Sequence, residues 1–424
     1  MSSFKMYDIR GLYPEEVNEE LVAKIGAQFS KINKDLVIGY DIRKGSESLA
    51  RAFIQAALKC GCNVVDVGLV PNPVCFYQAF KNKCHGVYVT ASHNPAGYNG
   101  IKIVNSEGCT DMSALKFLEK NLESEPEIGA GSLVKNFHAE LDYLNKLLDV
   151  KINRKVRVGV DCLNGSSGLI IKNVLANHNI EGTVINGIPK QDFGGKKPEP
   201  SVENAKELVK IVVDEGLDFG IIFDGDCDRS LVVSDTGEII SGDVMGVILS
   251  KELYSGKPVV TPVNTSMIVN DLNQKIVWTP IGRPFIEKVL ADKRLEFGFE
   301  MSNHFYFNDF YPFSDGFLAL LKIAKFVEGR KLSNYLKKLP ETFMVRENFD
   351  FESVVERDNV FDGLEVLFKK LYDRVNTLDG VKVSLSDGWF LLRKSNTEPI
   401  IRFSAESKDE HVVKRFLEDF KKRF

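Results

Sequence analysis

The stretch Leu36–Ser46, LVIGYDIRKGS, decides the fold. An apolar run from Leu36 to Tyr40 is typical of a buried strand, and it ends at Asp41 in a turn that contains Arg, Lys and Gly. A helical pattern follows as far as Lys59, and NVVDVG then predicts a second strand. Because strand, turn, helix and strand form the repeating unit of parallel and mixed sheets, the stretch predicts an α/β protein.

The same unit occurs twice more along the chain. VRVGVDCLNGSSG repeats the plan, and the interval from Asp161 to Asn186 is 25 residues, equal to the interval from Asp41 to Asp66. PVVTPVNTSMIVNDL followed by KIVWTPIG is a third, shorter version. We therefore predict three similar α/β domains with mixed sheets in tandem, in residues 1–148, 149–242 and 243–345. In such sheets ligands bind at the carboxyl ends of the strands.

The last part of the chain has another pattern. VKVSLSDGWFLLRKS alternates around Ser-Asp-Gly, which predicts a β-hairpin, and IIRFSAES predicts a further strand. EHVVKRFLEDFKKRF is amphipathic and predicts a helix. Residues 346–424 are therefore expected to form a smaller α+β domain.

Composition excludes several classes of protein. The chain has 424 residues, which is more than one hydrophobic core usually holds, and its net charge of -4 gives no positive field for nucleic acid or a membrane surface. Seven scattered cysteines without a C-x-x-C pair argue against thiolate metal sites and disulfides. Because MSSFKMYDIRG has no apolar signal core and no run of 18 apolar residues occurs, we expect a cytoplasmic protein. No obligate protein partner is evident.

FDGDCDRS is the most informative motif. Asp224, Asp226 and Asp228 alternate directly after the apolar run FGIIF. Three carboxylates so close together repel one another unless solvent or a cation separates them, and their hard oxygens suit Mg²⁺ or Ca²⁺. An EF-hand loop would need Gly and Glu where Arg229 and Asp235 stand. The motif therefore predicts a metal site at a strand end, and the alternative is an acidic surface turn.

Three further motifs carry polar groups out of apolar surroundings. YVTASHNPAGYNGIK presents Ser92 at the end of a strand, either as a nucleophile or as ordinary turn composition. FGFEMSNHFYF places Glu300, Ser302 and His304 where they could bind sugar hydroxyls, although the motif by itself favours a loop with a solvated Glu and a His packed against Phe. RKSNTEPIIR offers hydroxyl, amide and guanidinium donors for a phosphate, or is a polar hairpin turn. The sequence has no Walker A motif, G-x-G-x-x-G motif or zincin His pair, which argues against NTPase, dinucleotide and zinc chemistry.

Taken together, TASHNP, DGDCDR, EMSNH and RKSNTEP, in this order and on this domain plan, resemble the α-D-phosphohexomutase family over essentially the whole chain, including the opening YDIRG. The resemblance implies four domains around a central cleft, with one loop from each. The family usually has Gly where this chain has Cys227, Phe299 and Asn303.

The resemblance also implies site residues. Ser92 matches the serine that carries the phosphoryl group, and it joins Asp224, Asp226 and Asp228 as a ligand of Mg²⁺. Glu300 and Ser302 match the sugar-binding loop. The basic residues that match the lining of the cleft are Arg10, His93, Lys102, Arg229 and His304. The phosphate-binding loop corresponds to Arg393, Ser395, Asn396, Thr397 and Arg402.

The implied reaction moves phosphate between O1 and O6 of a hexose through phosphorylated Ser92 and a hexose 1,6-bisphosphate, with a sugar phosphate as the small-molecule partner. Lys102 and His304 are the candidates for taking up the proton of the attacking hydroxyl. The Glu-Met-Ser loop resembles that of the phosphomannomutase/phosphoglucomutase group, so mannose and glucose phosphates are expected substrates. The alternatives are a phosphoglucosamine mutase and a non-catalytic sugar-phosphate sensor on the same scaffold.

Overall fold

The computed structural model describes residues 3–395 and 398–422. It contains four sheets, and each predicted domain contributes one, with the first strand of the last sheet running across the predicted limit at 345. Of the described helices, none combines the length and the apolar character needed to cross a bilayer.

Domain I has a six-stranded mixed sheet in the order β1-β5-β4-β2-β3-β6, in which β2, β3, β4 and β6 are parallel and β1 and β4 pair antiparallel with β5. The opening stretch forms β2 and α2 as predicted. The elements are β1 (Ile9–Leu12), α1 (Glu19–Phe29), β2 (Asp35–Tyr40), α2 (Ser46–Lys59), β3 (Asn63–Leu69), α3 (Asn72–Asn82), β4 (His85–Val89), β5 (Tyr98–Val104), α4 (Met112–Asn121), β6 (Leu133–Lys135) and α5 (Ala139–Leu147).

Domain II has a five-stranded mixed sheet in the order β11-β10-β9-β7-β8, with short 3₁₀ turns at Ser166–Leu169 and Phe193–Gly195. Its second copy of the strand–turn–helix unit therefore forms as predicted. The elements are β7 (Val156–Asp161), α6 (Ile171–Ala176), β8 (Ile180–Ile185), α7 (Val202–Asp214), β9 (Phe219–Phe223), β10 (Ser230–Ser234) and β11 (Ile239–Ile240).

Domain III has a four-stranded mixed sheet in the order β13-β12-β14-β15 and a 3₁₀ turn at Met267–Asp271 in place of the helix between its first two strands. The helix FLALLKIAKFV is buried over most of its length, and its N-cap Asp315 accepts a hydrogen bond from Leu318 N. The elements are α8 (Gly242–Leu253), β12 (Val259–Pro262), β13 (Ile276–Thr279), α9 (Arg283–Lys293), β14 (Phe297–Phe299), β15 (Phe305–Phe307), α10 (Gly316–Val327) and α11 (Leu332–Leu336).

Domain IV has a five-stranded antiparallel sheet in the order β16-β20-β19-β18-β17. The predicted hairpin is β18 and β19, and the predicted amphipathic helix is α13. The elements are β16 (Phe343–Asp350), α12 (Val354–Leu371), β17 (Val375–Asn376), β18 (Val381–Ser384), β19 (Gly388–Lys394), β20 (Ile400–Ser407) and α13 (Glu410–Lys421).

The hydrophobic cores show how the domains are joined. One continuous cluster of buried side chains extends from Val37 in domain I through Val158 in domain II to Leu332 in domain III. Domain IV has its own cluster around Phe390 and Phe403. A small apolar contact made by Val263, Trp389 and Leu391, with partly buried side chains around it, joins domain IV to domain III. Domains I–III therefore share one core cluster beside smaller clusters of their own, and domain IV is packed against domain III.

Candidate active site

A cavity of about 570 Å³ lies where the four domains meet. Domain I lines it with the segment after β4, domain II with Arg229, domain III with the β13–α9 and β14–β15 loops, and domain IV with Arg393. These positions are at or just beyond strand ends, as expected for ligand sites of open α/β sheets. The predicted central cleft is therefore present.

Ser92 lies at the floor of this cavity, three residues beyond the end of β4. Its side chain is almost fully buried, and its backbone has the left-handed φ of +51° that non-glycine residues rarely adopt. Thr90 Oγ1 accepts a hydrogen bond from Ser92 N (2.8 Å), and Ser92 Oγ donates to Asp224 Oδ2 (2.8 Å). The hydroxyl is thus directed at the acidic loop of the neighbouring domain.

Arg43, in the turn of the opening stretch, holds the Ser92 segment from behind. Its guanidinium is fully buried, forms an ion pair with Asp41 (3.1 Å) and donates to the carbonyls of Ser92 (2.6 Å) and Asn94 (2.7 Å). Thr90 Oγ1 also donates to Asp41 (2.7 Å). Since a buried unpaired carbonyl or charge is unfavourable, these bonds fix the strained turn in one conformation.

The acidic loop DGDCD follows β9 without a break. Asp224 Oδ1 accepts hydrogen bonds from the backbone nitrogens of Asp228 and Arg229 (both 3.1 Å), which turns the loop back on itself. Cys227, at the position where the family usually has glycine, has a φ of +69° and a buried side chain. The cysteine therefore adopts the glycine-like backbone without displacing a carboxylate.

The three aspartates are fully buried and offer oxygen atoms that all lie within 4.8 Å of one another. In the described part of the chain, one oxygen each of Asp226 and Asp228 (Oδ1) has no hydrogen-bond partner. Burial, and then the neighbouring carboxylates Asp226 and Asp228, raise the pKa of Asp224. Buried, unpaired and mutually repelling carboxylate oxygens are the donor set that a hard divalent cation satisfies, so these residues fit Mg²⁺.

Lys102 lies on β5 at the same floor, and it is 2% exposed. Its ammonium is 2.6 Å from Asp226 Oδ2 and 2.6 Å from Asp228 Oδ2. Burial alone would raise the pKa of Asp228, but Lys102 and His304 hold it well below its ordinary value. Lys102 thus balances part of the negative charge and still reaches the cavity.

The β14–β15 loop brings three predicted residues together. Ser302 Oγ donates to Glu300 (3.0 Å), and His304 Nδ1 is 2.9 Å from the same carboxylate. Burial and Arg229 lower the pKa of His304, but its partners Asp228 and Glu300 raise it above its usual value. When the imidazole is neutral, its Nε2 can accept a hydrogen bond from Arg229 Nε (3.2 Å). Glu300, Ser302, His304 and Arg229 therefore form one hydrogen-bonded group on the cavity wall.

Arg10 and His93 also line the cavity. Arg10 is paired with Asp8 and donates to Asn94 Oδ1 (2.8 Å). Burial, followed by the nearby cations Arg229, Arg10 and Lys102, lowers the pKa of His93 to about 2. His93 is therefore a neutral side chain at the cavity wall, its Nδ1 has no hydrogen-bond partner among the described residues, and its role in the reaction stays a prediction.

In domain IV, the predicted phosphate loop divides into two parts. Arg393 lines the cavity, whereas the described residues Ser395 and Arg402 do not. Ser395 is buried and its carbonyl accepts from Arg357 (2.6 Å); the Arg402 side chain is 52% exposed, 3.8 Å from Glu398. Asn396 and Thr397 lie outside the described residues.

Two residues that contact the acidic loop, Arg283 and Asn72, are absent from the sequence prediction. Arg283, the first residue of α9, lines the cavity and places its Nη1 3.2 Å from Asp228 Oδ2. Asn72, at the start of α3, donates from behind the cavity to Asp226 Oδ2 (3.2 Å). A signal for Arg283 was present, since it follows the strand KIVWTPIG of the third repeat, where strand-end residues are expected to meet. Asn72 had the same signal, since it follows the predicted strand NVVDVG of the first unit.

A fourfold α/β–α/β–α/β–α+β arrangement around a cleft with a serine and three aspartates defines the α-D-phosphohexomutase class. Models of the four phosphoglucomutase/phosphomannomutase domains match in order: alpha/beta/alpha domain I over residues 1–127, domain II over 140–237, domain III over 241–343 and the C-terminal domain over 352–423. The chain belongs to the phosphoglucomutase/phosphomannomutase family. It is a phosphohexomutase, an isomerase, and the predictions of family and fold are confirmed.

Relatives of the chain carry two substrate names. A "probable phosphoglucosamine mutase" of Methanococcoides burtonii is 33% identical, and the alignment covers 98% of this chain and 100% of that protein. A "phosphoglucomutase/phosphomannomutase" of Thermococcus kodakarensis is 30% identical over 98% and 96%. The crystal structure of a phosphoglucomutase/phosphomannomutase family protein of Burkholderia thailandensis has a TM-score of 0.88 at 25% identity and covers 100% of this chain and 96% of that one.

Proposed function

We propose that the protein interconverts hexose 1-phosphates and 6-phosphates by carrying a phosphoryl group on Ser92. The hydrogen bond from Ser92 Oγ to Asp224 at the floor of a four-domain cavity carries this proposal. A hydroxyl held by a buried carboxylate in a strained turn is fixed for in-line transfer to one bound sugar oxygen. Phosphorylated Ser92 then gives its group to the free hydroxyl of the substrate, and the other phosphate of the resulting 1,6-bisphosphate returns to Ser92 after the sugar turns.

The charges of the site support this chemistry. Asp224, Asp226 and Asp228 would hold Mg²⁺ together with Ser92, and the cation when bound supplies neutralisation of the transferring phosphoryl group. Lys102 and Arg229 line the cavity beside Ser92 and bind the same group's oxygens. The proton of the attacking hydroxyl passes to the neutral amine of Lys102 or the neutral imidazole of His304, depending on which end of the sugar faces Ser92; as an ammonium, Lys102 acts only as a cation on the phosphoryl oxygens.

We assign binding of the sugar hydroxyls to domain III and binding of the distal phosphate to domain IV. Glu300 and Ser302 bind hydroxyls that hexoses share, because they stand on the cavity wall with their side chains already hydrogen-bonded to one another. Arg393 binds the phosphate remote from Ser92, since among the described residues it is the one that domain IV brings to the cavity. Ser395, Asn396, Thr397 and Arg402 remain assigned to this phosphate by the resemblance alone.

Glucosamine phosphate is the first candidate substrate. It is favoured by the names of relatives such as the Methanococcoides burtonii protein, which aligns over its full length. Mannose and glucose phosphates are the second candidates, favoured by the Glu-Met-Ser loop at Glu300–Ser302 and by the Thermococcus kodakarensis relative. A carboxylate that binds shared hydroxyls does not discriminate strongly at C2, so we expect a graded preference and not an absolute one.

Two experiments test the proposal. A coupled assay with the 1-phosphates of glucosamine, N-acetylglucosamine, mannose and glucose gives the order of kcat/KM, and the highest value for glucosamine supports the first candidate. Intact-mass measurement of freshly purified protein should show a fraction that is one phosphate heavier, mapped to the peptide containing Ser92. Turnover at the wild-type rate in Ser92→Ala would remove Ser92 from the mechanism, and wild-type protein that binds these sugars without turnover would support the non-catalytic sensor.

A further inference from the structure

Arg393 is held in place by one carboxylate of its own domain. Asp379 Oδ1 accepts a hydrogen bond from Arg393 Nε (3.0 Å), and Asp379 Oδ2 lies 3.0 Å from Arg393 Nη2. The pair therefore meets side-on, with two parallel contacts between the guanidinium and the carboxylate. This geometry fixes the plane of the guanidinium as well as its position.

Within the described residues, the remaining donors of Arg393 have no hydrogen-bond partner and can bind a ligand. A guanidinium has five N–H groups, and Asp379 engages the edge made by Nε and Nη2. Among residues 3–395 and 398–422, this side chain hydrogen-bonds to Asp379, and it also lines the cavity. The opposite edge, made by Nη1 and the second Nη2 proton, is thus left for two parallel hydrogen bonds to a phosphate.

The same carboxylate also binds domain III. Asp379 Oδ2 accepts a hydrogen bond from the backbone nitrogen of Ile281 at 2.7 Å. Ile281 precedes Gly282, the N-cap of α9, and α9 begins with the cavity residue Arg283. The carbonyl of Ile281 accepts a hydrogen bond from Tyr7 Oη of domain I (3.1 Å). One short segment of domain III is therefore bonded to domains I and IV on either side of the cavity.

The turn that carries Asp379 is itself fixed. Asn376 Oδ1 accepts from Leu378 N (2.8 Å), and Gly380 has a φ of +80°. A Cβ on Gly380 would lie 2.1 Å from the carbonyl oxygen of Leu392, so a side chain cannot be placed there without moving β19. The turn after β17 thus delivers the Asp379 carboxylate to a defined point beside Arg393.

We propose that Asp379 is a positioning residue that orients Arg393 for the distal phosphate and joins that arginine to the Ile281–Arg283 segment of domain III. This inference rests on the function proposed above. It assigns to Asp379 two separable tasks, one toward the arginine side chain and one toward the Ile281 amide. Both tasks use the same carboxylate, so a substrate phosphate on Arg393 is bound to domain IV and, through Asp379, to the wall of domain III.

The test is a double-mutant cycle in steady-state kinetics on the best of the four hexose 1-phosphates. We expect Asp379→Ala to raise KM by roughly tenfold, the factor for weakening one charged hydrogen bond. The double variant Asp379→Ala/Arg393→Ala should be within about twofold of Arg393→Ala, because a residue acting through the arginine has no effect once it is gone. Asp387→Ala is the control: it removes another domain IV carboxylate, 3.8 Å from the exposed Arg415, and should leave KM unchanged. Single effects that multiply in the double variant would overturn the inference.

A second readout separates the two tasks and does not depend on turnover. Hydrogen exchange of the peptide covering 276–283 should be faster in Asp379→Ala and unchanged in Arg393→Ala, since only the former loses the acceptor of the Ile281 amide. Asp379→Asn keeps an oxygen for Ile281 but loses the charge, so it should raise KM with exchange unchanged. If wild-type protein turns over none of the sugars, the proposed function fails. Independently of turnover, unchanged hydrogen exchange of the 276–283 peptide in Asp379→Ala would overturn the inference about Asp379.

Discussion

Replacing Ser92 by glycine and by alanine separates its backbone strain from its hydroxyl. Both variants lose the hydrogen bond to Asp224, and both should lose phosphoryl transfer. They differ in the backbone, because Ser92 has a φ of +51°, which Ala tolerates poorly and Gly tolerates freely. Comparing the two variants with each other therefore isolates the strain.

The magnitude follows from two opposing effects. A left-handed conformation destabilises a residue with a Cβ by roughly 1–2 kcal/mol. Glycine loses more backbone entropy on folding and is ordinarily about 0.5–1 kcal/mol less favourable than alanine. Ser92→Gly should therefore be more stable than Ser92→Ala by about 0.5–1 kcal/mol. Loss of the charged hydrogen bond, about 1.5–3 kcal/mol, affects both variants alike.

Ser250 is the matched control. It is buried in the interior of α8, and its hydroxyl donates to Gly246 O (2.7 Å). There the backbone is right-handed helix, so Ser250→Gly should be less stable than Ser250→Ala, by about 0.5–1 kcal/mol. The sign of the Gly–Ala difference is thus expected to reverse between the two sites.

Thermal unfolding in chelator measures the difference. Domains I–III share a core, and at about 2.1 cal/mol/K per residue a unit of roughly 340 residues shifts its midpoint by about 1.4 °C for each kcal/mol. The contrast between the two sites should therefore be about 1.5–3 °C. If Ser92→Gly unfolds below Ser92→Ala by the same margin as at Ser250, the strain argument is refuted.

Three further predictions concern the cation, the distal phosphate and the domain III–IV junction. Activity should be lost on chelation and restored by Mg²⁺. Asp226→Asn should lower kcat at least about a hundredfold. Full activity in the presence of chelator would instead support the interpretation of the motif as an acidic surface turn. Arg393→Ala should raise KM by more than Arg402→Ala, because the former lines the cavity and the latter is half exposed; equal effects would place both in the phosphate site. Burial, against the attraction of Glu406, lowers the pKa of Lys382 from 10.5 to about 8, and both tryptophans of the chain lie on its ammonium. Tryptophan fluorescence should therefore titrate with a midpoint near pH 8 in wild type and not in Lys382→Met. Because the pKa of Lys382 is lower in the folded than in the unfolded protein, the free energy of unfolding should rise as the pH rises from about 8 to 10.5 and should fall as the pH is lowered again.

The repeated units were predictable because strand ends in α/β sheets meet by topology. Asp41 and Asp161 mark the same turn in two repeats, and the loops bearing Ser92 and Asp224 follow buried strands that the apolar runs already outline. The direction of each strand places both loops at strand ends, but the strands belong to different sheets, and their contact was expected only from the family resemblance. The position of each loop was therefore predictable from the residues, and the pairing of Ser92 with the acidic loop from the resemblance.

The environment of individual side chains could not be predicted from the sequence. Arg393 on β19 and Arg402 on β20 are cross-strand partners. The strand β19 lies next to β18, whereas β20 lies between β19 and β16. This order of strands cannot be derived from the local sequence pattern of either strand. Although paired residues project on the same face of the sheet, the half-exposed Arg402 does not line the cavity and Arg393 does. His93 likewise looks basic in sequence, and only its burial among three cations makes it neutral.

The division of the hydrophobic cores has a consequence for how such a chain can diversify. The cluster that contains Val37, Val158 and Leu332 is continuous across three domains, so substitutions where the domains meet within it affect packing in more than one of them. Domain IV contacts domain III through the small apolar contact at Trp389 and through hydrogen bonds such as the one that Asp379 accepts from Ile281 N. Recombination between related genes could therefore exchange domain IV with less repacking than any other domain. Such an exchange would replace the residues that bind the phosphate remote from Ser92.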